Sequence, residues 1–305
     1  SWTSSDQIID DRTIDIDLSS LDVDLDFIPG DDILGVKDTL DLSNIAEDLT
    51  FTIHVDGTVS VTDGVSTLSN ISNLENLVGG SGNNAFEFED GAEFAGTIDG
   101  GSGTGTLDYF NYSDAVTVDL RPQDNANTGS ATGTNGFQNI DNVIGGSGDD
   151  DITGDSGDNE LSGGVGGDSL SGLDGDDLID GGEGDDILLS GGEGNDQISG
   201  GVGNDIIEGG GGNDTLEGDG GDDFLEGGAG SDFLAGGTGN DELSGSDGID
   251  TASYADASGG VVLNLNKTDA QDTVSAGLDT LSGIENLIGS DQDDFLTGND
   301  ESNRL

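Results

Sequence analysis

The stretch GGAGSDFLAGGTGNDELSG, residues 227–245, repeats one glycine-rich phrase with a period of nine residues. Nine matches neither the 3.6-residue period of an amphipathic helix nor the two-residue alternation of a strand. Each copy ends in an aspartate, a variable residue and an aliphatic residue. The period therefore indicates a repeat architecture in which each unit packs against its neighbours.

The repeats extend over residues 145–253. This segment divides into twelve units of nine residues, with one extra residue that we place at Ser190. The sixth position is Asp in eleven units, and Asn159 is the exception. The eighth position is Ile or Leu in eleven units, and Ala252 is the exception. Two columns kept over so long a segment predict that the units stack in register.

The composition excludes several classes of protein. The chain has 305 residues, with 66 Asp and Glu against 5 Lys and Arg, a net charge of −61 and no cysteine. Apolar residues make up only 30%, so composition alone predicts disorder. So few cations exclude a nucleic-acid-binding protein, and no apolar run is long enough for membrane insertion. Disulfide bonds cannot stabilise the fold.

The twelve units resemble the GGxGxDxUx nonapeptide of the RTX (repeats-in-toxin) proteins. The resemblance is strong over residues 145–253 and looser in the flanks. It implies an all-β fold, a right-handed parallel β-roll or β-solenoid, with calcium bound in its turns. It also implies export by type I secretion, so the expected location is secreted, extracellular or on the surface of a bacterium.

The chemistry of one unit agrees with this fold. The first six residues form a turn whose glycines can adopt positive φ, and the last three form a short strand. Only the middle residue of that strand points inward, so two units would form one coil around a thin Ile/Leu core. Such a core is too small to offset the ordering of the backbone. A divalent cation between coils would neutralise the acidic edges and join them.

The ligands on offer are oxygens alone, without His or Cys, which favours a hard cation. Flexible turns suit Ca²⁺ better than Mg²⁺. We predict nine or ten calcium ions in residues 145–253, each between sixth positions one coil apart. Whether the flanks bind further ions stays open at this point. The predicted ligands are Asp150, Asp168, Asp186, Asp205, Asp223 and Asp241 on one edge, Asn159, Asp177, Asp196, Asp214, Asp232 and Asp250 on the other, and Asp294 in the C-terminal flank.

The flanks predict further solenoid structure. Three segments, residues 73–84, 139–150 and 283–294, have similar sequences and each follows a lead-in with alternating apolar residues. We therefore predict four segments along the chain. They are an acidic β-strand segment (1–37), wider β-solenoid units with degenerate repeats (38–144), the roll of twelve nonapeptides (145–253) and a C-terminal solenoid unit or cap (254–305).

The N-terminal segment contains TIDIDLSSLDVDLDF, residues 13–27, in which apolar residues alternate with aspartate. One interpretation is an edge strand of the solenoid with a solvated acidic face. The other is a strand that pairs with the open end of another molecule, which would allow end-to-end self-association. Both interpretations stay open at this point.

Catalytic signals are weak. The sole histidine, His54 in FTIHVDG, alternates with apolar neighbours and is interpreted as a solvated strand residue. Neither an HExxH zinc motif nor a GxSxG elbow with a histidine partner is present. We therefore expect that the chain is not an enzyme.

These observations favour a calcium-binding extracellular structural module that folds on calcium after secretion. Its expected parent is a surface-layer, filament or adhesin-type protein, because the joining segments and the N-terminal strand exceed what a folding tail needs. The alternative is the C-terminal folding and secretion module of an RTX protease, lipase, polysaccharide-modifying enzyme or toxin. The expected partners are calcium ions and copies of the same chain.

Overall fold

The computed structural model describes the backbone of residues 13–15 and all atoms of residues 39–122 and 129–305. This part of the chain consists of strands and turns without a helix. Accordingly, it offers no helix with the length and apolar character that crossing a bilayer requires. Internal contacts divide the chain into unit 1, Ser1–Asn111 with Pro122–Asn142, and unit 2, Tyr112–Arg121 with Val143–Leu305.

Unit 1 contains two sheets. Its strands are β1 (Thr13–Asp15), β2 (Thr39–Asp41), β3 (Leu49–Ile53), β4 (Val59–Thr62), β5 (Thr67–Ile71), β6 (Asn76–Val78), β7 (Asn84–Phe88), β8 (Thr97–Asp99), β9 (Gly105–Asp108), β11 (Ser130–Ala131) and β12 (Phe137–Gln138). One sheet has the order β1-β2-β6-β8-β12, with parallel neighbours. In the other, β9, β7 and β3 are parallel, and β3, β4 and β5 form an antiparallel meander.

The core of unit 1 is aromatic. Inward and outward residues alternate along β3 and β7, which places Phe51 opposite Phe86. Their rings stack with centroids 4.6 Å apart, and the rings of Phe88 and Tyr109 stack at 4.7 Å. All four side chains are fully buried. Buried aromatic rings contribute large apolar areas, so this unit has a wide core of its own.

The N-terminal segment is described at one strand. β1 is the outermost strand of its sheet in the described part of the chain, and Ile14 lies opposite Leu40 of β2. The rest of the predicted segment 1–37 lies outside the described residues. The two interpretations of that segment therefore stay predictions.

Unit 2 contains the repeats. Its strands are β10 (Thr117–Asp119), β13 (Asn142–Ile144, which begins one residue before the unit), β14 (Asp151–Thr153), β15 (Glu160–Val165), β16 (Ser169–Asp174), β17 (Leu178–Glu183), β18 (Leu188–Glu193), β19 (Gln197–Val202), β20 (Ile206–Gly211), β21 (Thr215–Gly220), β22 (Phe224–Gly230), β23 (Phe233–Ala235), β24 (Glu242–Gly248), β25 (Thr251–Ser253), β26 (Val262–Asn264), β27 (Gln271–Asp272), β28 (Leu278–Ser282), β29 (Asn286–Ile288) and β30 (Phe295–Thr297).

Successive repeats alternate between two sheets. One sheet runs β10-β14-β16-β18-β20-β22-β24-β28-β27 and the other β15-β17-β19-β21-β23-β25-β29, while β26 and β30 form a separate pair. Neighbours are parallel except for β27 and β28. Each strand thus pairs with the strand two units away, and two nonapeptides form one coil. We call strands β14–β25 the roll.

The eighth position of every repeat lies in the core of the roll. Because side chains alternate along a strand, only this position of the three-residue strand faces inward. None of the twelve side chains is more than 2% exposed. They are Ile152, Leu161, Leu170, Ile179, Leu189, Ile198, Ile207, Leu216, Leu225, Leu234, Leu243 and Ala252. The core is therefore continuous but only one side chain deep in each strand.

The extra residue lies elsewhere than predicted. Leu189 is buried and pairs with Leu170 and Ile207, and Ser190 fills an ordinary ninth position. The insertion instead falls at Ile187, which is 65% exposed and forms a bulge before β18. The placement at Ser190 was wrong because consecutive aliphatic residues fit the eighth position equally well by sequence.

The coils approach closely at their turns. Gly230, at a fourth position, has φ +146°, and a methyl group built on it would lie 1.4 Å from the carbonyl oxygen of Gly212 in the preceding coil. Only glycine fits there. The second position also favours positive φ but is less strict, since Leu173 adopts φ 87°. Glycine spacing therefore sets the distance between coils.

Candidate metal centre

The sixth-position aspartates form two buried rows at the edges of the roll. From Asp168 onwards, each Oδ1 accepts the backbone N–H of the sixth-position residue one coil earlier, as when Asp205 donates to Asp223 at 2.9 Å. Ten aspartates from Asp168 to Asp250 share this arrangement, with donor–acceptor distances of 2.7–3.1 Å. One carboxylate oxygen of each aspartate therefore joins two coils.

The second oxygen of these carboxylates has no partner. Each of the ten side chains is at most 3% exposed, and its Oδ2 makes no hydrogen bond. The ten residues are Asp168, Asp177, Asp186, Asp196, Asp205, Asp214, Asp223, Asp232, Asp241 and Asp250. A buried charged oxygen without a partner is strongly unfavourable. So regular a set of unpartnered oxygens indicates a ligand.

Burial also changes the acidity of these groups. It raises the pKa of Asp186 and Asp223 from 3.8 to about 7, although backbone hydrogen bonds act in the opposite direction. Neighbouring aspartates in the row raise the pKa further. Burial likewise raises the pKa to about 6 at Asp168, Asp177, Asp214, Asp241 and Asp250. A cation beside these groups would relieve the cost of ionisation.

A small oxygen-lined space lies in front of each Oδ2. A methyl group built on Gly218, a first position, would lie 2.4 Å from Oδ2 of Asp223 and 2.6 Å from the carbonyl oxygen of Gly236. The aspartate thus shares this space with a backbone carbonyl of the next coil. Glycine leaves room that any other residue would fill.

Asn84 in unit 1 stands at the sixth position of a degenerate repeat, where its side-chain amide makes contacts that need no ion. Its buried Nδ2 donates to the carbonyl oxygens of Gly80, Gly82 and Gly100 at 3.2, 2.7 and 2.9 Å. Its Oδ1 accepts the N–H of Gly80 at 3.0 Å. The amide therefore satisfies three turn carbonyls directly. An aspartate has no such donor, so a cation has to meet both the carbonyls and the carboxylate.

The donor set fits calcium. No group of three or more acidic, His or Cys side chains that could hold a metal occurs in the residues that the structure describes. Each site in the roll would thus combine carboxylates with backbone carbonyls. Ca²⁺ accepts six to eight such oxygens in flexible geometry. The sixth-position carboxylates and the backbone carbonyls of the first positions are the groups that would bind the calcium ion.

Three predicted ligands differ from the other ten. Oδ2 of Asp150 accepts the N–H of Gly146 at 2.7 Å. Oδ1 of Asn159 accepts the N–H of Asp155 at 2.9 Å. Asp294 is half-buried, and its Oδ1 accepts the Val261 N–H and the hydroxyl of Ser290, both at 2.8 Å. In the first coil and the C-terminal flank, the predicted ligand oxygens named here therefore already accept hydrogen bonds.

Sequence reasoning missed two residues that continue the rows. Asp279 is fully buried, its Oδ1 accepts the N–H of Asp241 at 3.1 Å, and its Oδ2 has no partner. On the other edge, Oε2 of Glu285 accepts the N–H of Asp250 at 2.8 Å. A signal existed, because GLDTLSG (277–283) resembles GNDTLEG (212–218). The inserted segment between β25 and β28 breaks the nine-residue spacing and hides it.

A further pair of rows, one on each edge of the roll, was also not predicted from the sequence. At the exposed fifth positions, an Asp or Asn Oδ1 accepts the backbone N–H of the fifth position one coil later. Asn195, Asn204 and Asn240 also donate their side-chain amides to the preceding aspartate. These rows hydrogen-bond coil to coil at the surface. They explain why Asp or Asn occupies this position in nine of the twelve repeats.

His54 is not the solvated residue that we predicted. Its Nδ1 and Glu89 Oε1 are 2.9 Å apart, and its Nε2 and the Ser60 hydroxyl are 2.8 Å apart. Ser60 lies within β4 between antiparallel strands, rather than on the sharp turn that exposes a hydrolase serine. Glu89 also accepts the N–H of Val55. This group fastens the β3–β4 hairpin.

Comparison with family models agrees with the geometry. The model for the RTX calcium-binding nonapeptide repeat (4 copies) matches residues 135–170, 162–192, 188–216, 217–252 and 279–305. The chain belongs to the RTX-repeat proteins. Both the predicted family and the predicted all-β parallel β-roll are thereby confirmed, and this RTX-repeat chain is a calcium-binding repeat module. A comparison with curated proteins gives no match.

Proposed function

We propose that this RTX-repeat chain is an extracellular structural module that folds when calcium binds, within a bacterial surface-layer, filament or adhesin-type protein. The observation that carries the proposal is the set of ten buried carboxylate oxygens without partners. Bound calcium supplies positive charge shared between two coils. Because a site exists only where two coils meet, its binding free energy becomes folding free energy.

The charge of the chain supports a switch between two states. With a net charge of −61, the chain repels itself strongly where calcium is scarce, as in a cytosol. Self-repulsion keeps it expanded and able to pass through a secretion channel. Outside the cell, ions between the coils reduce that charge and allow the roll to form.

The proposed number of ions follows from the rows. Eight gaps lie between two sixth-position aspartates of which the earlier one has an unpartnered Oδ2. The gaps that follow Asp150 and Asn159 would complete the predicted nine or ten. Native mass spectrometry at saturating calcium measures this number.

The decisive experiment is a calcium titration followed by far-ultraviolet circular dichroism, with reversal by EDTA. We expect a cooperative gain of β-structure, because coils that share ions form together. Magnesium at the same concentration serves as the control and should produce little change, since it requires a stricter octahedral shell. Equal responses to both ions, or no transition, would contradict the proposal.

We also propose a mechanical rather than a catalytic role, with end-to-end association of copies. In the described part of unit 1, β1 and β12 are the outermost strands of one sheet, and β5 is an outermost strand of the other. Outermost strands offer unpaired N–H and C=O groups that invite strand addition. Light scattering and electron microscopy of the full chain in calcium test this: a concentration-independent monomer would argue against self-association.

A further inference from the structure

The chain contains three similar segments in which a residue with positive φ precedes an apolar residue, an acidic residue, Asn and a second apolar residue. They are residues 73–77, 139–143 and 283–287, and their first residues, Asn73, Asn139 and Gly283, have φ of 57°, 53° and 61°. We call them closing segments. Each follows a lead-in rather than a nonapeptide, so the nine-residue period does not include them.

The last closing segment lies against the final repeat as another repeat would. Oε2 of Glu285 accepts the N–H of Asp250 at 2.8 Å, the bond that Oδ1 of a sixth-position aspartate makes elsewhere. A methyl group built on Gly245 would lie 2.6 Å from Oδ2 of Asp250 and 2.2 Å from the carbonyl oxygen of Gly283. The space within the repeats has the same composition, as Gly218, Asp223 and Gly236 show.

Asp250 adds the independent sign of a ligand. Its side chain is fully buried, and its Oδ2 faces this space without a hydrogen-bond partner. Glu285 is half-buried and adds a second carboxylate at the rim. We propose that Asp250, Glu285 and the Gly283 carbonyl form an additional divalent-cation site, which joins the last repeat to residues 35 positions further along the chain.

The closing segment in unit 1 provides an internal comparison. Oδ2 of Asp141 accepts the N–H of Gly105 at 2.8 Å, as Glu285 does for Asp250. A methyl group on Gly100 would meet the carbonyl oxygen of Asn139, the counterpart of Gly283. The sixth position there is Gly105, which has no carboxylate. The same backbone geometry thus occurs with and without the buried acidic oxygen, and only the Asp250 version requires a cation.

The other edge of the roll ends differently. At Asp279, the hydroxyl of Tyr254 faces the carboxylate, and Gln271 lies opposite it in the β27–β28 pair. Both side chains are buried, and the Tyr254 hydroxyl and Gln271 Nε2 can both donate hydrogen bonds. Donors next to a carboxylate reduce its need for an ion. The proposal is therefore confined to the edge that contains Asp250.

The test is the number of ions held by the full chain, measured by native mass spectrometry at the free calcium that just saturates the wild type. We expect Glu285→Gln to hold one ion fewer, because Gln keeps the oxygen that accepts the Asp250 N–H but loses the charge. Glu242→Gln, which neutralises an exposed glutamate on β24, is the matched control and should hold the wild-type number.

The site rests on the proposed calcium-dependent function, and the outcomes separate the two. A wild type that holds no ions contradicts the proposed function. A Glu285→Gln variant that holds the wild-type number contradicts the additional site alone. Hydrogen exchange at the Asp250 amide shows whether the variant keeps its backbone contact. If that contact is lost, Gly245→Ala, whose methyl group fills the same space, should hold one ion fewer, and an unchanged number would overturn the site.

Discussion

Stacked coils are joined by different chemical groups in the two units. Unit 1 buries stacked aromatic rings, and the amide of Asn84 satisfies its turn carbonyls. The roll has one aliphatic side chain per strand, and its turns hold buried carboxylates with one unpartnered oxygen. With a neutral donor and an acidic oxygen in equivalent places, we expect unit 1 to fold without an ion and the roll to require one.

Removal of calcium should produce the largest difference in stability between the roll and unit 1. In EDTA, the roll should unfold while unit 1 stays folded, because rows of buried carboxylates occur in the roll and not among the described residues of unit 1. Hydrogen exchange with mass spectrometry on the full chain can follow peptides from both units. Loss of protection in residues 145–253 with retained protection in residues 49–109 is the expected result. Simultaneous loss in both units would show that the aromatic core cannot sustain unit 1.

Acid should partly replace calcium. Burial raises the pKa of Asp186 and Asp223 to about 7 in the folded state, so folding favours their protonated forms. Their stabilising effect is full below about pH 4 and is lost as the pH rises through 6 to 7. In EDTA, β-structure measured by circular dichroism should therefore increase between pH 7.5 and pH 4.5. When calcium is present, lowering the pH from 7.5 to 4.5 should instead raise the calcium concentration needed for folding, because protons compete with calcium for the carboxylates.

Asn84→Asp should make unit 1 dependent on calcium. The variant removes the donor to three carbonyls and buries a charge, which costs roughly 3–5 kcal/mol when the charge has no partner. We expect lower stability of unit 1 in EDTA and recovery in calcium, measured by thermal denaturation. The matched control is Asn83→Asp, at the exposed neighbouring position, which should change little. A loss that calcium does not reverse would argue against the equivalence of the two places.

Asp223→Asn should weaken the roll at one point. The buried carboxylate contributes to a shared site, so its loss should destabilise the calcium-bound state by about 1–3 kcal/mol. The midpoint of the calcium titration should rise accordingly. Asp222→Asn is the matched control, because it lies next to Asp223, is exposed, and Asn already occupies this position in other repeats. Equal effects of the two substitutions would mean that burial does not distinguish the rows.

Leu173→Gly should have the smallest effect and the opposite sign. Leu173 adopts φ 87°, which is strained for a residue with a side chain. Glycine removes that strain and should raise the stability of the calcium-bound roll by about 1 kcal/mol. Ser171→Gly, two residues earlier in the same strand β16 and without a positive φ, should instead lower it. Thermal denaturation in calcium measures both.

Much of the roll could be predicted because its period is regular. Two columns, the sixth and eighth positions, predicted the stacked aspartates and the buried aliphatic residues, and glycine spacing predicted the turns. The bulge at Ile187 could not be located, because Leu188 and Leu189 both fit the pattern. Asp279 and Glu285 were missed because an inserted segment places them outside the period. Pairing across an insertion depends on three-dimensional contacts that spacing alone does not reveal.

The flanks were harder to predict for a different reason. The lead-in at residues 49–70 alternates apolar residues as a strand does, but alternation does not specify the direction of pairing. The antiparallel meander of β3, β4 and β5 therefore emerged only from the structure. His54 illustrates the same limit, since its bond to Glu89 spans 35 residues.

The bonds from each sixth-position amide to the carboxylate one coil later give the array a polarity. If coils are missing at the C-terminal end, the last buried N–H loses its acceptor. If they are missing at the N-terminal end, a carboxylate oxygen loses its donor and an exposed fifth-position N–H loses its acceptor, and water can solvate both readily. Growth should therefore proceed from the C-terminus towards the N-terminus, with each added coil completing its own amide on arrival. A chain that emerges C-terminus first would then assemble in the order in which its coils become free.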